Sequence, residues 1–340
     1  MAQSVVDRAW RATTPDEIEP DLAALWRDIA KERPIARAVM SNLVVVRERA
    51  AARADEPLTP LTIIELARDL PLEDVVARHP SRVILIQHDR SPQTVCAPFA
   101  VSVGVMTFGP PEARYGVEEI IVQSACAEQS LPSIVRRLLR GDVPTSVWWT
   151  EDVSQTPPLH ALVSMARQFV YDSRDWQDTR CGVLALAPLI NAGQARLDLA
   201  DVNWRKLTPL RHALLHAGGA ADLDHLRQGH VDIFYRAGDE ALAWLAVGWL
   251  AARLEWAPET TPRVEETRDD DETLSIAVGP DLTVALNDHR VLVTRRDAPG
   301  FTVSVPQEDG ADAVAAELRN LGHDACLRDA LRALVARFSR

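Results

Sequence analysis

His212 and His216 stand four residues apart in a stretch that reads as helix, which places both rings on one face at the spacing of a metal pair. The residues between them are Ala-Leu-Leu, so the glutamate of a zinc-protease helix is missing, and surface histidines explain the pair more simply. Asp172, Asp175 and Asp178 gather around Arg174 and Trp176. Paired carboxylates can exchange protons or hold Mg²⁺, but helix-capping aspartates at a domain junction account for them more cheaply. Arg136, Arg137 and Arg140 could clamp a phosphate or form a plain solvated helix face. In Asp198–Arg211, Trp204 sits at a helix start flanked by Arg205 and Arg211, with Asp201 or Asn203 placed to cap it. Trp and Arg together are what binding hot spots use; a Trp packed into the core is the other reading. No Gly-x-Gly-x-x-Gly follows a strand, and neither a Walker loop nor a Gly-x-Ser-x-Gly elbow is present. No catalytic, cofactor or metal residue is therefore assigned. This weighs against an enzyme, although a spatial triad need not be contiguous in sequence.

The elements that would position these residues centre on 130–152. Leu131, Ile134, Val135, Leu138 and Leu139 form the stripe of an amphipathic helix, with the three arginines opposite. Ser130 can cap that helix and Gly141 can end it in the left-handed conformation. A strand follows through Trp148 and Trp149, whose side chains point to opposite faces. They bury both sides of the strand, or one is buried and the other, Trp149 in our assignment, waits for a partner.

Upstream, residues 1–15 read as a loose arm, and a helix is expected from Asp16 or Pro20 to Glu32, striped by Ile18, Leu22, Leu25, Trp26 and Ile29. Ala36–Arg47 reads as a buried strand, 48–57 as a linker, and Pro60–His79 as a helix broken near Pro71. Strands are expected at 83–86, 99–108 and 118–126, with Gln168–Asp172 the last of them. Downstream, helices are expected at 175–191, 204–217 and 240–253. Short alternating runs from Leu274 to Val305, parted by turn residues, read as an antiparallel meander, and helices at 312–321 and 324–338 close the chain. The acidic run 265–272 reads as a solvated hairpin edge. The expected architecture is an α/β N-terminal domain with a mixed sheet over 1–172 and an α+β C-terminal domain containing an antiparallel β-meander over 173–340.

Composition narrows the class. With 340 residues, two domains are the better expectation. The net charge of −12 argues against a nucleic-acid partner. Only Lys31 and Lys206 are lysines among 37 basic residues. Cys96, Cys126, Cys181 and Cys326 are far apart, which fits free thiols in a reducing compartment. The absence of an apolar signal core or a membrane-length apolar run makes a cytoplasmic, non-membrane protein the expectation.

Three ordered segments carry a resemblance: His79-Pro-Ser-Arg-Val-Ile-Leu-Ile86, Asp142-Val-Pro-Thr-Ser-Val-Trp-Trp149, and Asp201-Val-Asn-Trp-Arg-Lys-Leu-Thr208 followed by Arg211. With Ala36–Val46 and Val170–Arg174, they resemble the glucose-6-phosphate dehydrogenase assembly protein family, OpcA, over roughly residues 30–215. The resemblance implies a non-catalytic protein, without cofactor, that binds glucose-6-phosphate dehydrogenase and promotes its active oligomeric state in the oxidative pentose phosphate pathway. Cyanobacterial members are linked to redox control, which the scattered cysteines here do not carry over. The surfaces assigned to the partner are Arg136, Arg137, Arg140, Trp149, Trp204, Arg205 and Arg211. The alternative is a sugar-phosphate enzyme or sensor binding through Arg82 or the Arg136/Arg137/Arg140 face.

Overall fold

The computed structural model describes residues 5–32, 34–48, 63–66, 69–88, 100–110, 112–124, 128–191, 197–267, 271–296 and 298–340. Cys96, Cys126 and the expected linker from 49 onward lie outside them.

The first part runs β1 (Val5–Thr13), α1 (Ile18–Glu32), β2 (Ala36–Arg37), β3 (Ser41–Glu48), α2 (Ile63–Leu66), α3 (Leu72–Arg78), β4 (Ser81–His88), β5 (Ala100–Phe108), β6 (Tyr115–Ser124), α4 (Leu131–Leu138), β7 (Thr145–Trp149), α5 (His160–Val163), β8 (Gln168–Tyr171), α6 (Thr179–Asn191) and β9 (Asp198–Asp201). The strands form a mixed sheet in the order β1-β5-β6-β4-β3-β7-β8-β9, with β2 beside β6. From β6 across to β9 the neighbours pair parallel, while β1 and β5 are antiparallel at one edge. Parallel strands are buried on both faces, so β3 and β4 read as unbroken apolar runs. Strand parity then sorts the core. Val44, Val46, Ile84, Val147, Trp149 and Phe169 pack under α1, α4, α5 and α6. Leu43, Val45, Val83, Trp148 and Val170 face α3.

The second part runs α7 (Leu207–Ala217), α8 (Ala220–Arg227), β10 (Val231–Tyr235), α9 (Glu240–Arg253), β11 (Arg263–Glu266), β12 (Leu274–Val278), β13 (Leu282–Leu286), β14 (Arg290–Arg295), β15 (Phe301–Ser304), α10 (Gly310–Arg319) and α11 (Ala325–Phe338). Its sheet follows β11-β10-β12-β13-β14-β15; β12–β15 are the expected antiparallel meander. α9 is buried on most of its surface. It approaches α11 so closely that a Cβ on Gly248 would sit 2.7 Å from the Ala330 carbonyl oxygen.

Several expectations are corrected. The N-terminal arm contains β1, whose sequence lacks strict alternation and is held by pairing along β5. β9 carries the first sheet past residue 172. α10, far along the chain, covers the α3 face of the first sheet with Ala311, Val314 and Leu318. From β8, Gln168 Nε2 donates to the carbonyls of Glu317 at 2.8 Å and Asn320 at 3.2 Å at the end of that helix. Gly141 has no positive φ, because α4 already ends at Leu139 in extended conformation; the Ser130 side chain makes no cap bond. Asp324 does cap α11, accepting from Leu327 N–H at 2.9 Å. Glu265 and Glu266 lie on β11, which pairs parallel with β10 rather than in a hairpin; residues 268–270 lie outside the described set.

Candidate functional site

α4 buries Leu131, Val135 and Leu138 and leaves Arg136 and Arg137 exposed. Arg140 has a different fate. The Asn42 side chain binds its backbone, accepting from Arg140 N–H at 2.8 Å and donating to its carbonyl at 2.9 Å. That holds the Arg140 guanidinium over the amino ends of β3 and β4, 3.3 Å from Glu19 and 3.4 Å from Glu118. Glu118 is fully buried and also receives Arg82 at 2.6 Å, Arg37, and the Trp26 indole N–H at 3.0 Å. Arg82, itself fully buried, pairs with Glu19 as well. Desolvation pushes the Arg82 and Arg37 guanidiniums down, while Glu19 opposes it. Arg82 is thus enclosed by the chain's own carboxylates, which removes it as a surface phosphate ligand.

Trp149 is 1% exposed, beside Phe169, with its indole donating to the Thr156 carbonyl at 3.1 Å. Both faces of β7 are covered, so neither tryptophan of the pair is a surface anchor. Trp204 is also core: it is 3% exposed and donates to Asp324 Oδ2 at 2.8 Å. The half-buried Arg211 lies over its ring at 4.1 Å, its guanidinium pushed down by burial.

The segment from Asp201 to Arg211 nevertheless builds a site. Asp201 ends β9, and its buried Oδ1 accepts from Ser173 N–H at 3.1 Å and Asn203 N–H at 2.9 Å. This pins the loop after β8 to the 3-10 turn that enters α7. Burial, with Asp172 nearby, pushes the Asp201 carboxyl up to about 7 despite those two donors. Burial and Asp201 also push Tyr171 up. Arg205 crosses to the loop before α10, pairing with both Glu308 oxygens at 3.0 Å and with Glu317 at 3.0 Å.

Between this turn, the tips of the meander and the start of α10 lies a cleft of about 760 Å³. Arg174, Arg205, Lys206 and His212 line one side; Asp288, His289 and Glu308 line the other. It opens just beyond the carboxyl ends of β8 and β9, at the edge of the first sheet. Of the residues expected to face a partner, only Arg205 lies in it. Lys206 went unassigned, and its one available signal was being a lysine in an arginine-rich chain. A second, apolar groove of about 390 Å³ lies beside α7, lined by Leu214, Leu215, Leu223 and Trp249. Leu215 on its rim is 70% exposed.

The other motifs resolve locally. His212 and His216 are exposed, and among the described residues no group of three or more His, Cys, Asp or Glu could hold a metal. Asp172 accepts from Arg174 N–H and Asp178 from Cys181 N–H, both as turn caps. Among the described residues no helix is long and apolar enough to cross a membrane.

Fold and cleft together define a two-sheet α/β protein with a ligand-sized opening at the strand ends. Two family models match it in order: the glucose-6-phosphate dehydrogenase subunit N-terminal domain over residues 72–187 and the corresponding C-terminal domain over 197–331. The chain belongs to the glucose-6-phosphate dehydrogenase assembly protein family, OpcA. Similar proteins from Nostoc punctiforme (31% identical over 40% of this chain), Synechocystis (27% over 39%) and Synechococcus elongatus (26% over 42%) bear the provisional name OxPP cycle protein OpcA. The matched stretches span 29%, 28% and 32% of those relatives' lengths.

Proposed function

We propose that this chain is a non-catalytic, cytoplasmic assembly factor and allosteric activator of glucose-6-phosphate dehydrogenase, acting in the oxidative pentose phosphate cycle. The observation that carries the reading is the ordered match to both domains of a dehydrogenase-subunit family. Activation would follow from tighter binding to the active oligomer than to its alternatives, since only differential affinity shifts such an equilibrium. The partner-facing surface is Arg136 and Arg137 on α4. Both are exposed, and among the described residues no ion pair holds either.

Co-purification with the cognate dehydrogenase, with KM, kcat and oligomer size measured against added chain, tests the reading. Binding and a changed oligomer distribution are expected. Arg136→Glu with Arg137→Glu should leave stability within about 0.5 kcal/mol, as surface substitutions do, and weaken binding at least tenfold. No complex and no kinetic change at micromolar concentration would overturn the function. Full binding by the double variant would overturn the surface.

A further inference from the structure

We propose that the cleft beside α7 binds a small phosphate-bearing anion, with the Lys206 ammonium as its central charge and Arg174 and His212 beside it. The proposal goes beyond the assembly reading, because it requires binding by this chain alone.

Among the described residues no hydrogen bond or ion pair holds the Lys206 ammonium, although the residue is half-buried on the wall of the cleft. Among the described residues, the nearby carboxylates are engaged elsewhere. Asp172 binds Arg174 at 2.9 Å. Asp239 binds Arg236 at 3.0 Å, and Asp288 lies 3.7 Å from the same arginine. Glu308 is taken by Arg205, and Asp309 binds Arg78 at 2.9 Å while capping α10. The chain has therefore partly desolvated a cation without neutralising it. Burial and then the repulsion of Arg174 push the Lys206 ammonium down, with Asp239, Asp172 and Asp288 opposing. An anion between Lys206 and Arg174 would relieve both effects at once.

The opening, about 760 Å³, is metabolite-sized. A phosphate fits better than a planar carboxylate. The lysine is a compact point charge with three rotatable donors, suited to a tetrahedral oxyanion. The chain's net charge of −12 sets nucleic acid aside as the source of that phosphate.

The sequence supplies its own probe. Lys31 and Lys206 are the only lysines, so reductive ¹³C-methylation of the intact chain yields two lysine methyl signals beside that of the α-amine. Lys31 is exposed at the end of α1 and pairs with Asp28, which makes it an internal control. Titration with inorganic phosphate and with glucose 6-phosphate should move the Lys206 signal saturably and raise its titration midpoint, while Lys31 stays still. Saturation at lower concentration by the ester than by inorganic phosphate would assign the site to an organic phosphate, and the reverse order to the free ion. By calorimetry, Lys206→Gln should weaken binding at least tenfold, and Lys206→Arg should stay within about threefold of the parent chain. A Lys206 signal that does not move, or that moves linearly together with Lys31 under chloride at equal ionic strength, overturns the proposal. The methyl titration uses the unmutated sequence, so it decides even if a variant fails to fold.

Discussion

At the amino ends of β3, β4 and β6, three arginines share two carboxylates; in the cleft at the opposite ends of β8 and β9, basic residues again stand among carboxylates. The first cluster is closed. Glu118 is fully buried and serves Arg82, Arg37 and Arg140, with Glu19 completing the set. The second is open, with Arg174 and Arg205 satisfied and, among the described residues, Lys206 not. Arginines are therefore paired in both places, and the cation that presents its charge in the second is a lysine. The difference lies in whether the chain itself supplies the counter-charge inside the low-dielectric interior, where an unpaired ion costs most.

The sharpest way to break this contrast is to remove the shared carboxylate. Glu118→Gln leaves Arg82 buried with only the half-exposed Glu19 as counter-ion, and should cost about 3–5 kcal/mol, as breaking buried pairs does. Urea unfolding of variant and parent checks it. A loss below about 1 kcal/mol would mean that the cluster is no more than a surface network. Next in size is the pH response around the cleft. The Asp201 carboxyl is held at about 7 in the fold, by burial and by Asp172, against about 3.9 when unfolded. Between those values the folded state keeps a proton that the unfolded state has lost. Its contribution is therefore fully present below about pH 4 and is lost as pH rises through about 7. Asp201→Asn should flatten that decline in a series of melts from pH 4 to 8. The smallest effect belongs to Arg205→Ala. Its pairs with Glu308 and Glu317 are partly exposed, so its loss should cost about 1 kcal/mol or less. It should also loosen the loop before α10, measurable as faster amide exchange at 307–310.

Much of the scaffold was legible because it depends on near neighbours. The stripe of α4, the continuous apolar strands β3 and β4, and the turn-parted meander follow from periodicity. Long-range partners were not legible. β1 mixes apolar and polar residues without strict alternation and exists through its ladder with β5. β9 is four residues with an aspartate at each end, too short to announce itself. Of the surfaces expected to face a partner, Trp149 and Trp204 are buried, and Arg140 is drawn into the closed cluster. Arg136 and Arg137 kept the exposure their helix face implied.

The sequence by itself determined the two-part α/β and α+β layout, the opposite facing of Trp148 and Trp149, and the family, whose motifs lie in order along the chain. Tertiary structure alone decided that α10 returns to cover the first sheet, that Arg82 is enclosed, and that Lys206 is left open. Periodicity reports that a face is buried but not against what. Whether a cation is neutralised depends on carboxylates such as Glu308, about a hundred residues away in the chain, and only the fold brings them near or keeps them apart.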